Sequence, residues 1–494
     1  MKKRLYNLVS ILIIMALTFS SFLLAGCDGK KEENNKKNGN IFGLMRFSEM
    51  SGGADKQAQK LKKEILSAPD TLKKATEENL VYYVSVNGSE WNDGLSPEKP
   101  TTIDEVNTLY LTKGDVVLFK RGDTFRLEKE IEPVRGVSYG AYGEGDKPIL
   151  LGSLKNYADK SLWSSEDNKI WQIYLGTNDA AQVIFNDCEY VGFRKHTLAE
   201  VTANGDFFFD YGKKTLFLYL TDTNPGEYFN SIEIATTSRA IGTFGAALSK
   251  LDNLKFQNLC IKYFTLFAFN MSYVENMEIT GCEMSYIGGA ITSSKKDRYG
   301  NAVQFWNCAN NVNVSNNYIY QIFDAAITFQ GSVTNNYTNL EFKNNLIEYT
   351  SMNFEFWGQD NKKATGTSSD PTAKMHNISF ENNILRFGGY GFGGMQRKIK
   401  SNQAFVLCWY NRYDESQIKD FNITNNIFDT ANCNYFYAPN TINHVNVANN
   451  TYYQKPGSEH YIIVSQKDNC DSKEEFEKII KKIDKSPKKV EWIK

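Results

Sequence analysis

Two carboxylates lie in neighbouring copies of a short aromatic pattern, and their residue type and spacing suit acid–base chemistry. Asp324 precedes the segment ITFQ, and Glu355 lies within FEFW. Glycoside hydrolysis uses such a pair, one carboxyl protonating the leaving oxygen and the other acting as base or nucleophile. Trp357, next to Glu355, would raise the pKa of Glu355 by excluding water, as a general acid requires. Asp324 and Glu355 are therefore the predicted catalytic pair. The structural alternative is that Asp324 bonds turn amides and Glu355 pairs with a basic loop residue.

The aromatic pattern occurs four times, as FAFN, VQFW, ITFQ and FEFW. If Phe269, Phe305, Phe329 and Phe356 share one strand position, the side chains on either side of each phenylalanine point outward, because side chains alternate along a strand. Stacked strands about 4.8 Å apart would form two outward columns of polar and aromatic side chains suited to sugar rings. The predicted columns are Ala268, Gln304, Thr328 and Glu355, and Asn270, Trp306, Gln330 and Trp357. The alternative is that both tryptophans only pack beneath loops.

A second repeat predicts how these strands are stacked. The unit is an apolar residue, a variable residue, an Asn pair and another apolar residue, as in VSNNYI from Val314 and FENNIL from Phe380. Seven copies begin 23, 35, 28, 38, 43 and 24 residues apart, starting at Phe256. A period near 23 residues, with Val, Ile, Phe and Tyr broken by Asn and Gly, predicts an all-β, right-handed parallel β-helix. Asn at the third position suits a left-handed backbone conformation, and its amide would bond the Asn of the next rung.

Short helices are predicted to cover both ends of this solenoid. The segment 55–80 has helical spacing and would cover the N-terminal end, since an open β-helix end is a sticky edge. The segment 456–494 contains a capping pattern from Ser472 to Glu475 and would supply an amphipathic helix at the other end. The β-helix itself is predicted to span residues 81–455.

The amino-acid sequence of the first rungs and of the repeats is similar to that of a known group of proteins. NGSEWNDG with SPEKP, GDVVLFKRGDTF and YGAYGEGDKPIL resemble the N-terminal rungs of secreted parallel β-helix proteins of the pectate-lyase-like superfamily. The resemblance covers roughly residues 81–455 and implies a protein that acts on or binds polysaccharide. It does not choose the reaction, because lyases, hydrolases and epimerases share this fold. RYGNAVQFW and LRFGGYGFGGMQRK also resemble segments of bacterial β-helix proteins that usually carry Glu at the position of Gln304.

The N-terminus predicts export and anchoring. Residues 1–26 combine a basic start with a long uncharged apolar run, which is typical of a signal peptide. The following Cys27 resembles the lipid-modified cysteine of a bacterial lipobox, so membrane attachment through Cys27 and a flexible tether over 27–54 are expected. Cleavage leaves 53 basic against 57 acidic residues, which favours no nucleic-acid partner. The remaining cysteines lack metal spacing, and most are expected to be buried as small apolar groups.

Long insertions fall in the rungs that carry the outward columns, and on a solenoid such loops build the walls of a site. Substrate contacts are therefore predicted for Tyr390 and Arg397, together with Gln304, Trp306, Gln330 and Trp357. Basic residues of the largest insertion (Arg397, Lys398, Lys400 and Arg412) would also suit a lyase acting on uronate-containing glycan. Ca²⁺ is expected only in that case, and the sequence requires no cofactor or metal. No histidine falls in a column.

The sequence thus predicts a monomeric cell-surface protein that engages polysaccharide, with glycoside hydrolysis ranked above elimination or epimerisation. A non-catalytic glycan-binding protein, with Trp306 and Trp357 as stacking platforms, is the remaining alternative.

Overall fold

The structure is a computed structural model that describes residues 50–242, 251–291, 297–332, 334–366, 372–397, 403–408, 414–438, 441–456 and 472–493. The predicted signal peptide, Cys27 and most of the predicted tether lie outside these residues. So do Lys398, Lys400 and Arg412. Elements are numbered in chain order.

Parallel strands stack into three faces around one apolar core, which confirms the predicted parallel β-helix. The first face, here called the trough face, carries the Phe-centred segments. Its strands are β13 (Arg239–Gly242), the first parts of β16 (Phe267–Thr280) and β20 (Val303–Ser315), β22 (Ala325–Gln330), β25 (Met352–Phe356), β28 (Ala404–Leu407) and β31 (Asn434–Tyr437).

The second face continues from the first, because β16 and β20 bend and belong to both. The bend in β16 coincides with a register shift between Ser272 and Val274 and a left-handed backbone at Tyr273, with φ 53°. The remaining strands of this face are β1 (Val81–Val84), β2 (Val116–Lys120), β4 (Ser138–Tyr142), β14 (Leu251–Gln257), β23 (Asn336–Lys343), β26 (Lys374–Glu381), β29 (Ile418–Thr424) and β32 (Asn446–Ala448).

The third face, here called the strap face, closes the coil. It contains β3 (Thr124–Arg126), β5 (Ile149–Leu151), β15 (Cys260–Lys262), β17 (Glu283–Ile287), β21 (Tyr318–Ile322), β24 (Leu346–Glu348), β27 (Ile384–Gly388), β30 (Ile427–Ala431), β33 (Thr451–Gln454) and β34 (Lys489–Trp492).

Paired asparagines make the turn between the second face and the strap face. The third position of each copy has a left-handed backbone, with φ between 54° and 60° at Asn258, Asn316, Asn344, Asn382, Asn425 and Asn449, as predicted. The inter-rung ladder is made by the next residue instead. Asn317 donates to Asn345 at 3.0 Å, and the chain of amides continues through Asn383, Asn426 and Asn450. These side chains are buried, and each amide nitrogen also donates to a backbone carbonyl, as Asn317 does to Ile279 and Asn345 to Val314, so the buried polar groups are satisfied within the protein.

Helices are few and short. They are α1 (Asp55–Leu66), α2 (Pro225–Tyr228), α3 (Asn361–Ala364), α4 (Phe392–Gln396) and α5 (Lys473–Ile483). Single 3-10 turns lie at Val106–Thr108, Lys160–Leu162, Leu198–Glu200, Glu415–Gln417 and Thr441–His444. In the described part of the chain, no helix has the length and apolar content needed to cross a membrane.

The C-terminal helix lies at the last rung. The Ser472 hydroxyl accepts a hydrogen bond from the Glu475 amide at 3.2 Å, so the N-cap read from the sequence is present. Phe476 and Ile480 are fully buried and belong to the main core. Directly after the helix, Asp484 accepts from the Asn450 side chain at 3.0 Å and so ends the asparagine ladder.

The position predicted for the N-terminal helix needs correction. Residues 50–71, here called the strap, run along the side of the coil, and α1 packs on β21 and β24 in the middle of the strap face. The Ala54 amide donates to Asp429 at 2.9 Å near one end, and Asp70 pairs with Arg121 at 2.7 Å near the other. An amphipathic pattern shows that a helix buries one side, but not which surface receives it.

A separate, mainly antiparallel unit interrupts the span predicted as continuous β-helix. Residues 153–236, here called the inserted module, have their own core of large apolar side chains, including Trp163, Trp171 and Phe207. Its strands are β6 (Ile170–Tyr174), β7 (Gln182–Phe185), β8 (Tyr190–Val191), β9 (Phe193–Arg194), β10 (Asp206–Asp210), β11 (Thr215–Tyr219) and β12 (Ile232–Ala235). A small antiparallel hairpin of β18 (Ala290–Ile291) and β19 (Arg298–Tyr299) lies beside the module. In the chain it connects β17 of the strap face to β20 of the trough face.

Candidate active site

Strand pairing on the trough face aligns the residues of the two predicted columns, except in the first segment. Gln304, Thr328 and Glu355 are direct partners on adjacent strands, and Trp306 pairs with Gln330. Trp357 follows β25 and donates its amide to the Phe329 carbonyl at 3.2 Å. Phe305, Phe329 and Phe356 stack in the core as expected.

The first segment is shifted by two residues. Phe269 pairs with Val303, so the columns are extended by Asn270 and Ser272, and not by Ala268 and Asn270. Ala268 is fully buried. Phe267, Phe269 and Met271 are all apolar at alternate positions, so a two-residue shift keeps the same face buried. The hydrophobic pattern therefore could not distinguish the two registers.

Glu355 lies beneath the surface of the trough face, and its carboxyl group is largely shielded from water. Its exposed fraction is 8%, and the Thr328 hydroxyl donates to it at 3.0 Å. Burial, and next the neighbouring charge of Asp324, raise the pKa of Glu355 to about 8. Hydrogen bonds from Thr328 and Trp357 and the charge of Arg397 oppose this rise. Glu355 is therefore protonated at neutral pH and can donate a proton.

Asp324 lies in the turn before β22 and meets a guanidinium. Its amide donates to the Gly300 carbonyl at 3.1 Å, and its carboxylate forms an ion pair with Arg397. Burial is the largest influence on Asp324 and raises its pKa above the usual value, although the charge and hydrogen bond of Arg397 oppose this rise. Because Arg397 bonds Asp324 directly, Asp324 is the carboxyl group of the pair that ionises first. The two carboxyl groups therefore differ in their surroundings: a bonded cation favours the ionised form of Asp324, and neutral donors surround Glu355.

The wall beside the pair consists of amides and indoles. Gln304 accepts from Gln330 at 3.0 Å and from Asn301 at 2.8 Å, and donates to Asn270 at 2.9 Å. Its amide is thus tied into a network along the column, with an exposed fraction of only 6%. Trp306 and Trp357 meet edge to face with centroids 6.2 Å apart, and both remain partly exposed. Sugar stacking on these rings stays a prediction.

The two loop residues predicted to bind substrate lie on one connection, between β27 and β28. Tyr390 is partly exposed in the turn before α4, and Arg397 follows α4. Gly393 of α4 lies so close to Phe323 that a Cβ atom there would meet the Phe323 carbonyl at 2.3 Å. This close packing on the Phe323–Asp324 turn brings Arg397 to Asp324. Arg397 was predicted as a substrate contact, and its ion pair with Asp324 was not indicated by the sequence.

Several further charged residues near the pair were missed. Arg298 stacks on the Phe323 ring at 4.3 Å, and Arg397 approaches the same ring at 5.3 Å. From the inserted module, Arg194 pairs with Asp179 at 2.5 Å. These residues lie in loops and in a module whose placement no repeat specifies, so the sequence carried no signal for them.

Within the part of the chain that the structure describes, no three His, Cys, Asp or Glu side chains are grouped as metal ligands. The described cysteines are all free thiols, and Cys260 and Cys282 are buried in the coil as expected.

Comparison with known proteins gave matches to solved structures alone. No protein-family model matches the chain, and no curated protein matches it. A structure described as a glycoside hydrolase aligns at 8% identity and a TM-score of 0.44, over 83% of this chain and 96% of that one. The pectate lyase Pel9A aligns at 12% identity and a TM-score of 0.32, over 81% and 80%. The polygalacturonase from Erwinia carotovora ssp. carotovora aligns at 8% identity and a TM-score of 0.32, over 78% and 95%. The strand pairing within the chain defines its fold.

Proposed function

We propose that the protein is a glycoside hydrolase that acts on polysaccharide in the trough, with Glu355 as general acid and Asp324 as base or nucleophile. One observation carries the proposal: two carboxyl groups are close enough to affect each other's ionisation, yet their surroundings differ in kind. Glu355 has only neutral hydrogen-bond donors, whereas Asp324 is paired with Arg397. Pairs of carboxyl groups whose pKa values are pushed apart are typical of acid and base assignments in enzymes.

In this mechanism the trough holds the glycosidic oxygen near the Glu355 carboxyl group. Glu355 gives its proton to the leaving oxygen as the bond to the anomeric carbon breaks. The Asp324 carboxylate either removes a proton from the attacking water or attacks the anomeric carbon itself. Arg397 keeps Asp324 ionised, and Trp306 and Trp357 offer apolar ring faces to the sugar.

Elimination is less well supported, because the basic residues expected to serve it come from the largest insertion, and Arg397 is the one of them that the structure describes. The guanidinium of Arg397 is engaged by Asp324. The two reactions also differ in their products, since elimination leaves an unsaturated, ultraviolet-absorbing sugar and hydrolysis does not.

The test is a comparison of wild type with Glu355→Gln on neutral polysaccharides (xylan, mannan, β-glucan) and on uronate polymers (polygalacturonate, alginate). We expect new reducing ends without ultraviolet-absorbing product, and a loss of turnover of roughly 10²–10⁴-fold in the variant with binding of the same polymer retained. Glu348→Gln on the strap face is the matched control and should keep its turnover. Unsaturated products, or full turnover by Glu355→Gln, would contradict hydrolysis. Binding to a polymer without any product would favour the non-catalytic alternative.

We further propose that the protein is exported and held at the cell surface through Cys27. Support comes from the apolar N-terminal run and the cysteine that follows it. Incorporation of labelled palmitate into the full chain, and its loss in Cys27→Ser, tests this proposal.

A further inference from the structure

The inserted module lies against the turns that lead into the trough face. Gln182 of the module donates to the carbonyls of Tyr286 and Gly288 at 2.9 and 2.7 Å. Arg194 of the module donates to the Gly289 carbonyl at 3.0 Å. Tyr286 lies in β17, and Gly288 and Gly289 form the connection from β17 to β18, which pairs with β19 at Arg298. The module is therefore fixed to the same edge of the coil from which Asp324 and Arg397 emerge.

The side chain of Gln396, the residue before Arg397, bonds the inserted module. Gln396 donates to the Gly192 carbonyl of the module at 2.9 Å. Its side-chain oxygen accepts from Arg298 at 2.6 Å and from the Arg194 amide at 3.4 Å. Both ends of the Gln396 amide are thus occupied, two of the three bonds by the module and one by the arginine that stacks on Phe323.

The other end of the same segment is fixed to the coil. The Phe392 amide donates to the Gln321 side chain at 2.9 Å, and Gly391 packs against the Tyr349 carbonyl. Within α4, the Arg397 amide donates to the Gly393 carbonyl at 3.1 Å. A helix of five residues has little stability of its own, so its last turn depends on tertiary contacts. These include the Gln396 bonds to the module and the bond from the Gln403 side chain to the Gly394 carbonyl at 3.2 Å.

We propose that Gln396 is a positioning residue, through which the inserted module holds Arg397 against Asp324. The inference rests on the proposed function. Gln396 itself touches neither carboxyl group of the pair. Its effect passes through the backbone to Arg397, whose guanidinium must stay within hydrogen-bond reach of Asp324.

The test compares Gln396→Met with Gln182→Met in the full chain, on the polysaccharide that the wild type turns over fastest. Both changes conserve volume and remove hydrogen bonds between module and coil, but only Gln396 adjoins Arg397. We expect Gln396→Met to lower kcat roughly 10- to 100-fold, as small displacements of catalytic groups do, with KM changed less than about threefold. The acid limb of its pH–rate profile should move to higher pH, since Asp324 loses its cation, and Gln182→Met should keep the wild-type profile.

Hydrogen exchange supplies a readout that needs no substrate. The amides of Met395 and Arg397 should exchange faster in Gln396→Met than in wild type, and at the wild-type rate in Gln182→Met. If Gln396→Met does not fold, Gln396→Asn shortens the side chain by one methylene and takes its place with the same expectation.

The outcomes separate this inference from the proposed function. A wild-type pH profile and wild-type exchange in Gln396→Met, with Arg397→Met impaired, would overturn the positioning role and leave hydrolysis standing. Equal effects of Gln396→Met and Gln182→Met would overturn it too, because general loosening of the module would then explain both. If Arg397→Met and Glu355→Gln both keep full turnover, the proposed function fails, and the exchange experiment alone decides the role of Gln396.

Discussion

Two faces of the coil each pair an arginine with carboxyl groups, and they do so in different ways. On the strap face, Arg386 bonds Glu348 at 2.8 Å and Asp429 at 3.1 Å, and it also pairs with Asp55 of the strap. Every carboxylate in that group touches the cation. Arg386 is 6% exposed and Asp429 is fully buried, so the group is sealed beneath the strap.

On the trough face, the cation is bonded to only one carboxyl group of the pair. Arg397 reaches Asp324, while Glu355 has the Thr328 hydroxyl as its closest described donor. Burial without a bonded cation leaves Glu355 protonated at neutral pH, and the aromatic wall beside it remains partly exposed. Buried ion groups alone do not mark a site, since the same residue types hold the strap in place. The informative feature is the combination found at Glu355: burial without a bonded cation, a raised pKa and the charge of a second carboxyl group nearby.

The largest expected difference between the two faces is in stability. Arg386→Met leaves three carboxylates facing each other without a cation, and we expect the free energy of unfolding to fall by roughly 3–5 kcal/mol. Turnover at temperatures where the variant stays folded should be unchanged. Arg397→Met, whose pair is closer to water, should cost no more than about 1–2 kcal/mol. Denaturant unfolding at neutral pH measures both, and equal costs would contradict the contrast.

The second prediction concerns how activity depends on pH. Arg397 lowers the pKa of Asp324, so Arg397→Met should raise it and move the acid limb of the pH–rate profile upward by roughly 1–2 units. Activity near pH 5 should therefore fall more than activity near pH 7. An unchanged acid limb would show that Asp324 is not the group that must ionise.

A smaller effect is expected from the neutral hydrogen-bond donors. Trp357 lowers the pKa of Glu355 through a hydrogen bond, so Trp357→Phe should move the alkaline limb upward by less than about one unit. On the strap face, the Tyr318 hydroxyl donates to Glu348 at 3.0 Å. Tyr318→Phe should cost roughly 1 kcal/mol of stability and leave the pH profile alone. A shift of the alkaline limb in Tyr318→Phe would remove the distinction between the faces.

The sequence was sufficient for the fold and for the position of the main columns. The asparagine pairs recur with the rung, and their left-handed backbone follows from residue type, so Asn316 and its equivalents were predictable. Glu355 and Thr328 followed from strand alternation around Phe329 and Phe356. The register of the FAFN segment did not, because a shift by two residues leaves Phe267, Phe269 and Met271 all on apolar positions.

The rest depended on contacts between distant parts of the chain. Arg298, Gln396 and Arg194 come from two loops and the inserted module, and no repeat relates them. The module itself was not recognised, since its short strands and Gly, Asn and Asp turns resemble those of a rung. The N-terminal helix was predicted as an end cap because its apolar side chains fit any apolar surface. Its place along the side of the coil is selected by polar contacts with distant residues, among them Asp429, Arg386 and Arg121.

The most direct test of the account is the unfolding free energy of wild type and Glu355→Gln between pH 4 and pH 9. The pKa of Glu355 is raised from 4.5 to about 8 by folding, so the folded state keeps a proton that the unfolded chain releases. Stability from this group is fully present below pH 4.5 and is lost as pH rises through about 8. We predict that wild type loses roughly 2–5 kcal/mol relative to Glu355→Gln across that window. A difference that stays constant, or one that grows in favour of wild type with rising pH, would contradict a protonated Glu355 and the acid role assigned to it.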